Sequence, residues 1–490
     1  MKKRFSLTTT LPYVNADPHI GFALEIVQAD VIARYQRQHG FDVFFNTGTD
    51  EHGVKVYRKA VEEKMDPQAY VDEHAAQFDG LKKALNLSYD SFIRTTDVKH
   101  IAAAQEFWKR CDTAGDIYKK FYKVKYCSGC ELEKTESELV DGKCPIHPNL
   151  SIETIEEENY FFRFSKYQKP LLELYDNQSD FVVPAYRLKE IRSFVARGLD
   201  DFSISRLKSK MPWGISVPGD DTHVMYVWFD ALINYISCLG WPDKKYAHWW
   251  PSVQFAGKDN LRQQSAMWQA MLLSAGVLPS RQVVIHGFIT TGGAKISKSL
   301  GNIVDPFALV KKYGADALRY FLLRHVHPFE DSDFTIERFE AVYTADLANG
   351  LGNLISRVTN MLEKFANGKF TRKKTIGDVE RGPINVAITS YRFNEAMKRI
   401  WQLIDDSNAL IDVKEPWKIA KRIEMKSGKS AQLIDIEFVE TMSALMNELA
   451  NRVLDIAELL KPFMPGTSEK IAAAFEQPVK KAEPLWPRIL

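Results

Sequence analysis

The first fifty residues fix the kind of sheet this chain can build. Arg4 to Thr10 alternates, with Phe5 and Leu7 on one face, which predicts a strand. The chain then passes through Pro18-His19-Ile20-Gly21 into a segment where Ile20, Leu24, Val27, Val31 and Tyr35 recur at helical spacing. Gly40 suits the stop of that helix. Phe41 to Thr47 reads as a buried strand that ends on Gly48-Thr49-Asp50-Glu51-His52-Gly53. Strand, helix and strand in this order belong to a parallel α/β sheet, in which ligands bind at the carboxyl ends of the strands. The turn at His19, Asp50 and Asp259 all follow predicted strands, so they can converge on one crevice. The turn at His19 also offers free backbone N–H groups and the positive end of a helix dipole, a setting for a nucleotide phosphate.

The alternation continues to about residue 115, breaks over 115–225, and resumes around Tyr226 to Ser237, Val253 to Gly257 and Val283 to Phe288. From about Asp346 the strands vanish. Leu347 to Phe365, Val386 to Leu410 and Ile434 to Leu460 are long amphipathic segments, and Lys414-Glu415-Pro416-Trp417 begins a helix after a turn. The expected fold class is α/β: a Rossmann-like parallel sheet split by a zinc-knuckle insertion and followed by an α-helical bundle. The boundaries read as 1–114 and 226–325 for the two halves of the sheet domain, 115–225 for the insertion, 326–350 for a linking stem and 351–490 for the bundle.

Composition narrows the function classes. Lys+Arg 65 against Asp+Glu 63 leaves a net charge of +2, so any nucleic-acid contact must come from local patches. The basic opening has no continuous apolar run behind it and reads as a first strand, not a secretory signal. No stretch approaches the roughly 18 apolar residues of a membrane span. A cytoplasmic multidomain protein is expected. The lysine-rich pieces Lys119 to Lys125 and Lys369 to Lys374 read as solvated faces.

Three of the five cysteines cluster. Cys127-Ser128-Gly129-Cys130 and Cys144-Pro145-Ile146-His147 form CxxC and CxxH pairs, each able to bite one tetrahedral ion. Three thiolates and one imidazole leave no open position, which implies structural Zn²⁺. Cys111 and Cys238 stand alone and are expected in the core. A second polar run, Lys295-Ile296-Ser297-Lys298-Ser299, lies between Gly292-Gly293-Ala294 and Gly301. Two lysines and two hydroxyls in a glycine-bounded loop are suited to close over a triphosphate.

The pair Pro18-His19-Ile20-Gly21 and Lys295 to Ser299 resembles the HIGH and KMSKS signatures of class I aminoacyl-tRNA synthetases, with Phe22 in place of the second histidine. The likeness extends through Thr10-Leu11-Pro12-Tyr13, Thr47 to Gly53, Ser203-Ile204-Ser205-Arg206, Trp213-Gly214-Ile215, Tyr226 to Ala231 and Gly257-Lys258-Asp259. In that order they resemble the methionyl-tRNA synthetases from end to end, the Cys-Cys-Cys-His knuckle included.

The resemblance implies ATP-dependent activation of L-methionine to methionyl-adenylate, then transfer to initiator and elongator methionine tRNA. It implies that His19, Gly21, Gly257, Asp259, Lys295, Ser297 and Lys298 bind ATP, with Mg²⁺ accompanying the nucleotide and His19, Lys295 and Lys298 acting in catalysis. Asp50 would hold the α-ammonium. Leu11, Tyr13, Trp228, Ala231, Leu232 and Tyr235 would wall the thioether. Asn260 and Gln264 depart from the family's usual isoleucine and histidine; Gln264 can still donate a hydrogen bond to the sulfur, and Asn260 makes that wall more polar. Asn353 and Arg357, one helical turn apart, and Trp417 match the anticodon readers. A monomer is expected. Two other readings stay open: a sister synthetase for another aliphatic amino acid, and a non-catalytic tRNA-binding relative, which Phe22 keeps in view.

Overall fold

The computed structural model describes residues 3–129, 132–134, 136–296, 303–419, 421 and 436–487. They divide into two compact units. The first comprises Met1–Pro18, Gly40–Gly80 and Tyr89–His286; the second comprises His19–His39, Leu81–Ser88 and Gly287–Leu490.

The first unit is built on a sheet of six strands. In chain order these are β1 (Arg4–Thr8), β2 (Asp42–Thr49), β3 (Ser91–Arg94), β4 (Val182–Val183), β5 (Val253–Gly257) and β6 (Gln282–His286). Their spatial order is β3-β2-β1-β5-β6-β4, and every pairing is parallel. β1 is buried at four of its five positions, Ser6 and Thr8 included, as expected of a central parallel strand covered on both faces. Between β3 and β5 the chain adds a long antiparallel ribbon, Ile117–Cys127 against Glu153–Phe162, in register from Ile117↔Phe162 to Tyr126↔Glu153. The segment 115–225 is thus largely antiparallel, yet it returns to the main sheet at β4 beside β6.

Tyr226 to Ser237 contains no strand. It forms two short helices, Val227–Ala231 and Asn234–Ser237. A short apolar run is ambiguous between a buried strand and a buried helix, and periodicity alone does not separate them. Cys111 is fully buried as expected, and Cys238 is partly buried against the same core.

The second unit contains α1 (Ile20–Gln38), α2 (Ala315–Arg324), α3 (Asn353–Ala366), α4 (Asp378–Thr389), α5 (Phe393–Lys414), α6 (Ile436–Leu460) and α7 (Pro465–Ala474). α1 begins and ends where its sequence predicts, with Gly40 at φ +82° beyond it. The expected single helix from Val386 to Leu410 is broken. α4 closes at Tyr391, a left-handed residue at φ 59°. Arg392 N–H bonds Ala387 C=O at 2.8 Å and Tyr391 N–H bonds Ile388 C=O at 2.9 Å, the paired bonds of a Schellman ending. Glycine usually marks that position, and its absence hides the break. No helix among the described residues is long and apolar enough to cross a membrane.

Two polar devices hold this unit. In the first, Asp30 on α1 is fully buried and accepts from Arg34 at 2.7 Å, Arg319 at 2.8 Å and the Ser88 backbone N–H at 2.7 Å. Arg319 on α2, also fully buried, donates to the carbonyls of Phe463, Pro462 and Leu85. In the second, Asn447, Asn451 and Asp455 lie four residues apart on α6 and bind the backbone of residues 371–376. Asn447 and Asn451 accept from the N–H of Thr371 and Lys373, and Asp455 from those of Thr375 and Ile376.

Removing one partner of a buried pair leaves an uncompensated charge, at a cost of about 3–5 kcal/mol. Asp30→Ala should therefore lower unfolding stability by about that amount in urea titrations at neutral pH. Burial alone would raise the Asp30 carboxyl, but Arg319 and Arg34 hold it below its ordinary range. Its contribution is complete above the unfolded carboxylate pKa and disappears as pH falls through the lower native one, so the parent's advantage should shrink in acid.

Candidate active site and its supporting network

In the first unit, the sheet delivers Asp50 just beyond β2. Asp50 N–H bonds Pro12 C=O at 2.9 Å, Val14 N–H bonds Asp50 C=O at 3.3 Å, and Tyr13 and Asp50 form a parallel bridge. Leu11, half-buried beside Pro12, lies on the same extension of β1. Thr10 N–H bonds Phe255 C=O, which carries that extension alongside β5. β5 ends at Gly257, and Lys258–Asn260 follow as a single tight turn. Asp259 is exposed there, and the Asn260 amide turns back to its carboxylate at 3.4 Å.

The apolar wall comes from the two short helices. Trp228 and Ala231 lie on Val227–Ala231, Leu232 follows, and Tyr235 lies on Asn234–Ser237. Gln264 donates to the Tyr235 hydroxyl at 2.7 Å, while its side-chain oxygen is buried with no hydrogen-bond partner. Gln263–Met267 is a single turn of π-helix, a distortion frequent at functional sites. The Trp228 indole N–H is likewise buried without a partner.

Asp230, between Trp228 and Ala231, is fully buried and was not among the expected site residues. Its two oxygens accept from His52 Nδ1 and His100 Nε2, each at 2.7 Å. Burial would raise its carboxyl, but the two imidazoles hold it below the usual carboxylate range. Glu51 is buried and takes a bidentate pair from Arg94, at 2.6 and 2.9 Å, and its backbone C=O accepts from the Trp213 indole at 2.6 Å. Arg206 is buried too, with its guanidinium 4.3 Å from the Tyr226 ring centroid. One of these was legible in the sequence. His100 shares a helical face with Ala103, Ala104, Phe107, Trp108 and Cys111, so the spacing marks it as a buried histidine.

The ribbon carries the cysteine cluster at its far end. Cys127, Cys144 and His147 bring their ligand atoms within 4.8 Å of one another, with Cys127 Sγ and His147 Nδ1 3.8 Å apart. The edge of a tetrahedron with zinc-length bonds is about 3.5–3.8 Å, so Cys127 and His147 already stand at the spacing of two ligands on one ion. Cys130 lies outside the described residues. A Cβ on Gly129 would stand 2.4 Å from His147 Cγ, and Lys55 holds the Gly129 carbonyl at 2.7 Å, so the backbone has no easy retreat.

In the second unit, His19 caps α1, its Nδ1 accepting from Gly21 N–H at 3.1 Å. Phe22 is half-buried in the first turn of the helix. Ile20 N–H bonds Val304 C=O at 3.1 Å, joining the start of α1 to the chain that follows the lysine-rich loop. Ile289–Thr291 and Ala294–Lys295 form the hairpin that leads into that loop. Gly292 and Gly293, at φ +61° and +75°, make the turn. Ser297 and Lys298 lie outside the described residues. Asn353 and Arg357 share α3; Asn353 is exposed, and Arg357 pairs with Asp412 on α5. Residues 416–419 are helical, and Trp417 is 47% exposed.

A family model described as "tRNA synthetases class I (M)" matches residues 5–151 and 137–359. The methionine–tRNA ligase of Thermosynechococcus vestitus is 41% identical over 96% of this chain and 90% of its own length. That of Thermotoga maritima is 39% identical over 98% of this chain and 76% of its own. The solved Mycobacterium tuberculosis methionyl-tRNA synthetase in complex with methionyl-adenylate superposes with a TM-score of 0.87 at 36% identity, over 96% of this chain and 93% of that one. This places the fold among the class I synthetases. Within that class, the chain belongs to the methionine–tRNA ligase family.

Gly129→Ala should push the His147 ring out of the cluster. Metal analysis of the purified variant should find well under one ion per chain, against a full complement in the parent.

Proposed function

We propose that this chain activates L-methionine with ATP and charges methionine tRNA. The observation that carries the reading is its end-to-end similarity to a synthetase solved with methionyl-adenylate. In the first step a methionine carboxylate oxygen attacks the α-phosphorus of ATP, the bond to the β-phosphate oxygen breaks, and pyrophosphate leaves. In the second, the terminal adenosine hydroxyl of tRNA attacks the activated carbonyl and AMP leaves. Positioning and charge stabilisation are the protein's main contributions.

Asp50 receives the α-ammonium as a charge-assisted pair. Tyr13, Leu11, Trp228, Ala231, Leu232 and Tyr235 enclose the thioether, with Gln264 and Asn260 as the polar part of the wall. His19 and the start of α1, with Gly21, hold phosphate. Gly257 and Asp259 take the ribose hydroxyls. Lys295, Ser297 and Lys298 neutralise the departing pyrophosphate, with Mg²⁺ accompanying ATP. Phe22 cannot donate a hydrogen bond, so these groups carry the nucleotide without the second histidine. Cys127, Cys130, Cys144 and His147 hold a structural Zn²⁺, which cross-links the knuckle and supplies no chemistry to the reaction. Residues 1–114 and 226–325 form the activating domain, 115–225 the insertion, 326–350 the stem and 351–490 the domain in which Asn353, Arg357 and Trp417 read the anticodon. The reading extends to a monomer working in the cytoplasm, where a reducing environment keeps three thiols available to metal.

The test is amino-acid-dependent ATP–pyrophosphate exchange across the aliphatic set. Methionine should support it, and Lys298→Ala should slow it by roughly 10²–10³ with little change in methionine affinity, the usual scale for removing one charge-stabilising donor. Preference for another amino acid would mark a sister synthetase. Absence of exchange with every amino acid would leave a tRNA-binding relative.

Trp417→Ala should weaken tRNA binding by about 1–3 kcal/mol, the usual value of a stacked base, and leave exchange unchanged. Filter binding and exchange on the same preparation check both halves.

A further inference from the structure

Asp230 is a junction. Its carboxylate is fully buried, and no Lys or Arg among the described residues pairs with it. It takes one hydrogen bond on each oxygen, from two histidines that arrive on different elements. His52 follows β2, two residues after Asp50, and donates through Nδ1. His100 lies on the helix Val98–Thr113 and donates through Nε2, while its Nδ1 lies 2.9 Å from the Ser237 hydroxyl. Ser237 closes the helix that carries Tyr235. The carboxylate therefore binds the strand end that bears Asp50 to both short helices that bear Trp228, Ala231 and Tyr235.

The strand side of this junction has little freedom. Glu51, between Asp50 and His52, is clamped by Arg94 on its carboxylate and by Trp213 on its carbonyl, and Gly53 N–H bonds Trp213 C=O at 3.2 Å. A rigid His52 transmits position: where its Nδ1 points, Asp230 follows, and Trp228 and Ala231 move with Asp230. A buried carboxylate is costly to desolvate, and an apolar contact would join the same elements at lower cost. What the carboxylate adds is direction, since each oxygen accepts along a narrow range of angles.

We infer that His52 and His100 are positioning residues for the amino-acid site, setting through Asp230 the separation between Asp50 and the apolar wall. The inference rests on the reading of Asp50 and Trp228 as the two ends of the methionine site. Neither histidine touches substrate in this scheme. Each acts through Asp230, and each through one particular ring nitrogen.

That nitrogen specificity supplies the test. An asparagine amide places its N–H near Nδ1 of a histidine, and a glutamine amide near Nε2. His52→Asn and His100→Gln preserve the donor to Asp230; His52→Gln and His100→Asn misplace it. Methionine-dependent exchange is measured for all four, with separate KM values for methionine and ATP, and folding is checked by circular dichroism and the urea midpoint. The donor-preserving variants should stay within about threefold of the parent in methionine KM. The misplaced ones should raise it about tenfold or more, the scale of one lost buried hydrogen bond, with ATP KM moving by less than about twofold. A purely structural role predicts that asparagine and glutamine at a site behave alike, or that both KM values move together, and either result overturns the inference. If one histidine's variants fail to fold, the other pair decides by the same comparison. A parent protein inactive with methionine would overturn the functional reading beneath, a result that no comparison among variants can mimic.

Discussion

Arg319 carries a permanent charge at a point with no access to water, and much of the second unit is arranged around that fact. A guanidinium has five donors in a fixed fork and cannot shed its proton to escape burial. Asp30 answers the charge, and three backbone carbonyls answer the remaining donors. Two of those carbonyls, from Pro462 and Phe463, belong to the turn between α6 and α7. The third, from Leu85, belongs to the short stretch before β3. One side chain therefore fixes α1, α2 and the far end of the helical bundle with respect to each other. It explains why α1, although it follows β1 directly in the chain, belongs by its contacts with the bundle.

Much of the architecture was legible in the sequence wherever one local signal dominated. β1, α1, β2 and β5 announce themselves through period, caps and turn residues, and the structure follows them within a residue or two. The misread places share a different cause. Tyr226 to Ser237 is buried on nearly every side, Asp230 and Asn234 included, and has no period to measure. The end of α4 uses a tyrosine in a conformation normally given to glycine, so nothing in the letters marks it. β4 is only two residues long and joins the main sheet from inside the inserted segment, a pairing decided by the tertiary fold alone. Antiparallel pairing through most of the insertion also escapes local reading, because strand direction is set by partners far away in sequence.

For the candidate site, the motifs named the residues proposed to meet a ligand but not the residues that hold them. Tyr13, Asp50, Tyr235 and Gln264 could be placed by resemblance, and the structure ties them into two pairs. The buried charges behind them were missed. Glu51 with Arg94, and Asp230 with His52 and His100, join positions too far apart for any window of sequence to connect. A buried polar network is specified by three-dimensional coincidence, whereas the apolar wall in front of it is specified by type. His100 is the exception, since an apolar helical face with one histidine in it is visible on the page.

The side chains of Asn447, Asn451 and Asp455 grip the main chain of residues 371–376 at four N–H groups, and hold the side chains of Arg372 and Thr375 as well. A connection held largely by its backbone is indifferent to the identity of the side chains that α6 does not touch. Natural drift can exchange Thr371, Lys373 or Lys374 while the path over α6 stays constant, whereas Arg372 and Thr375 each add a side-chain bond of their own. Only proline is barred at Thr371, Lys373, Thr375 and Ile376, where each backbone N–H is already committed. The lasting trace of this connection is thus the four-residue rhythm of amides and carboxylate on α6 together with Arg372 and Thr375, while positions 371, 373 and 374 are free to change.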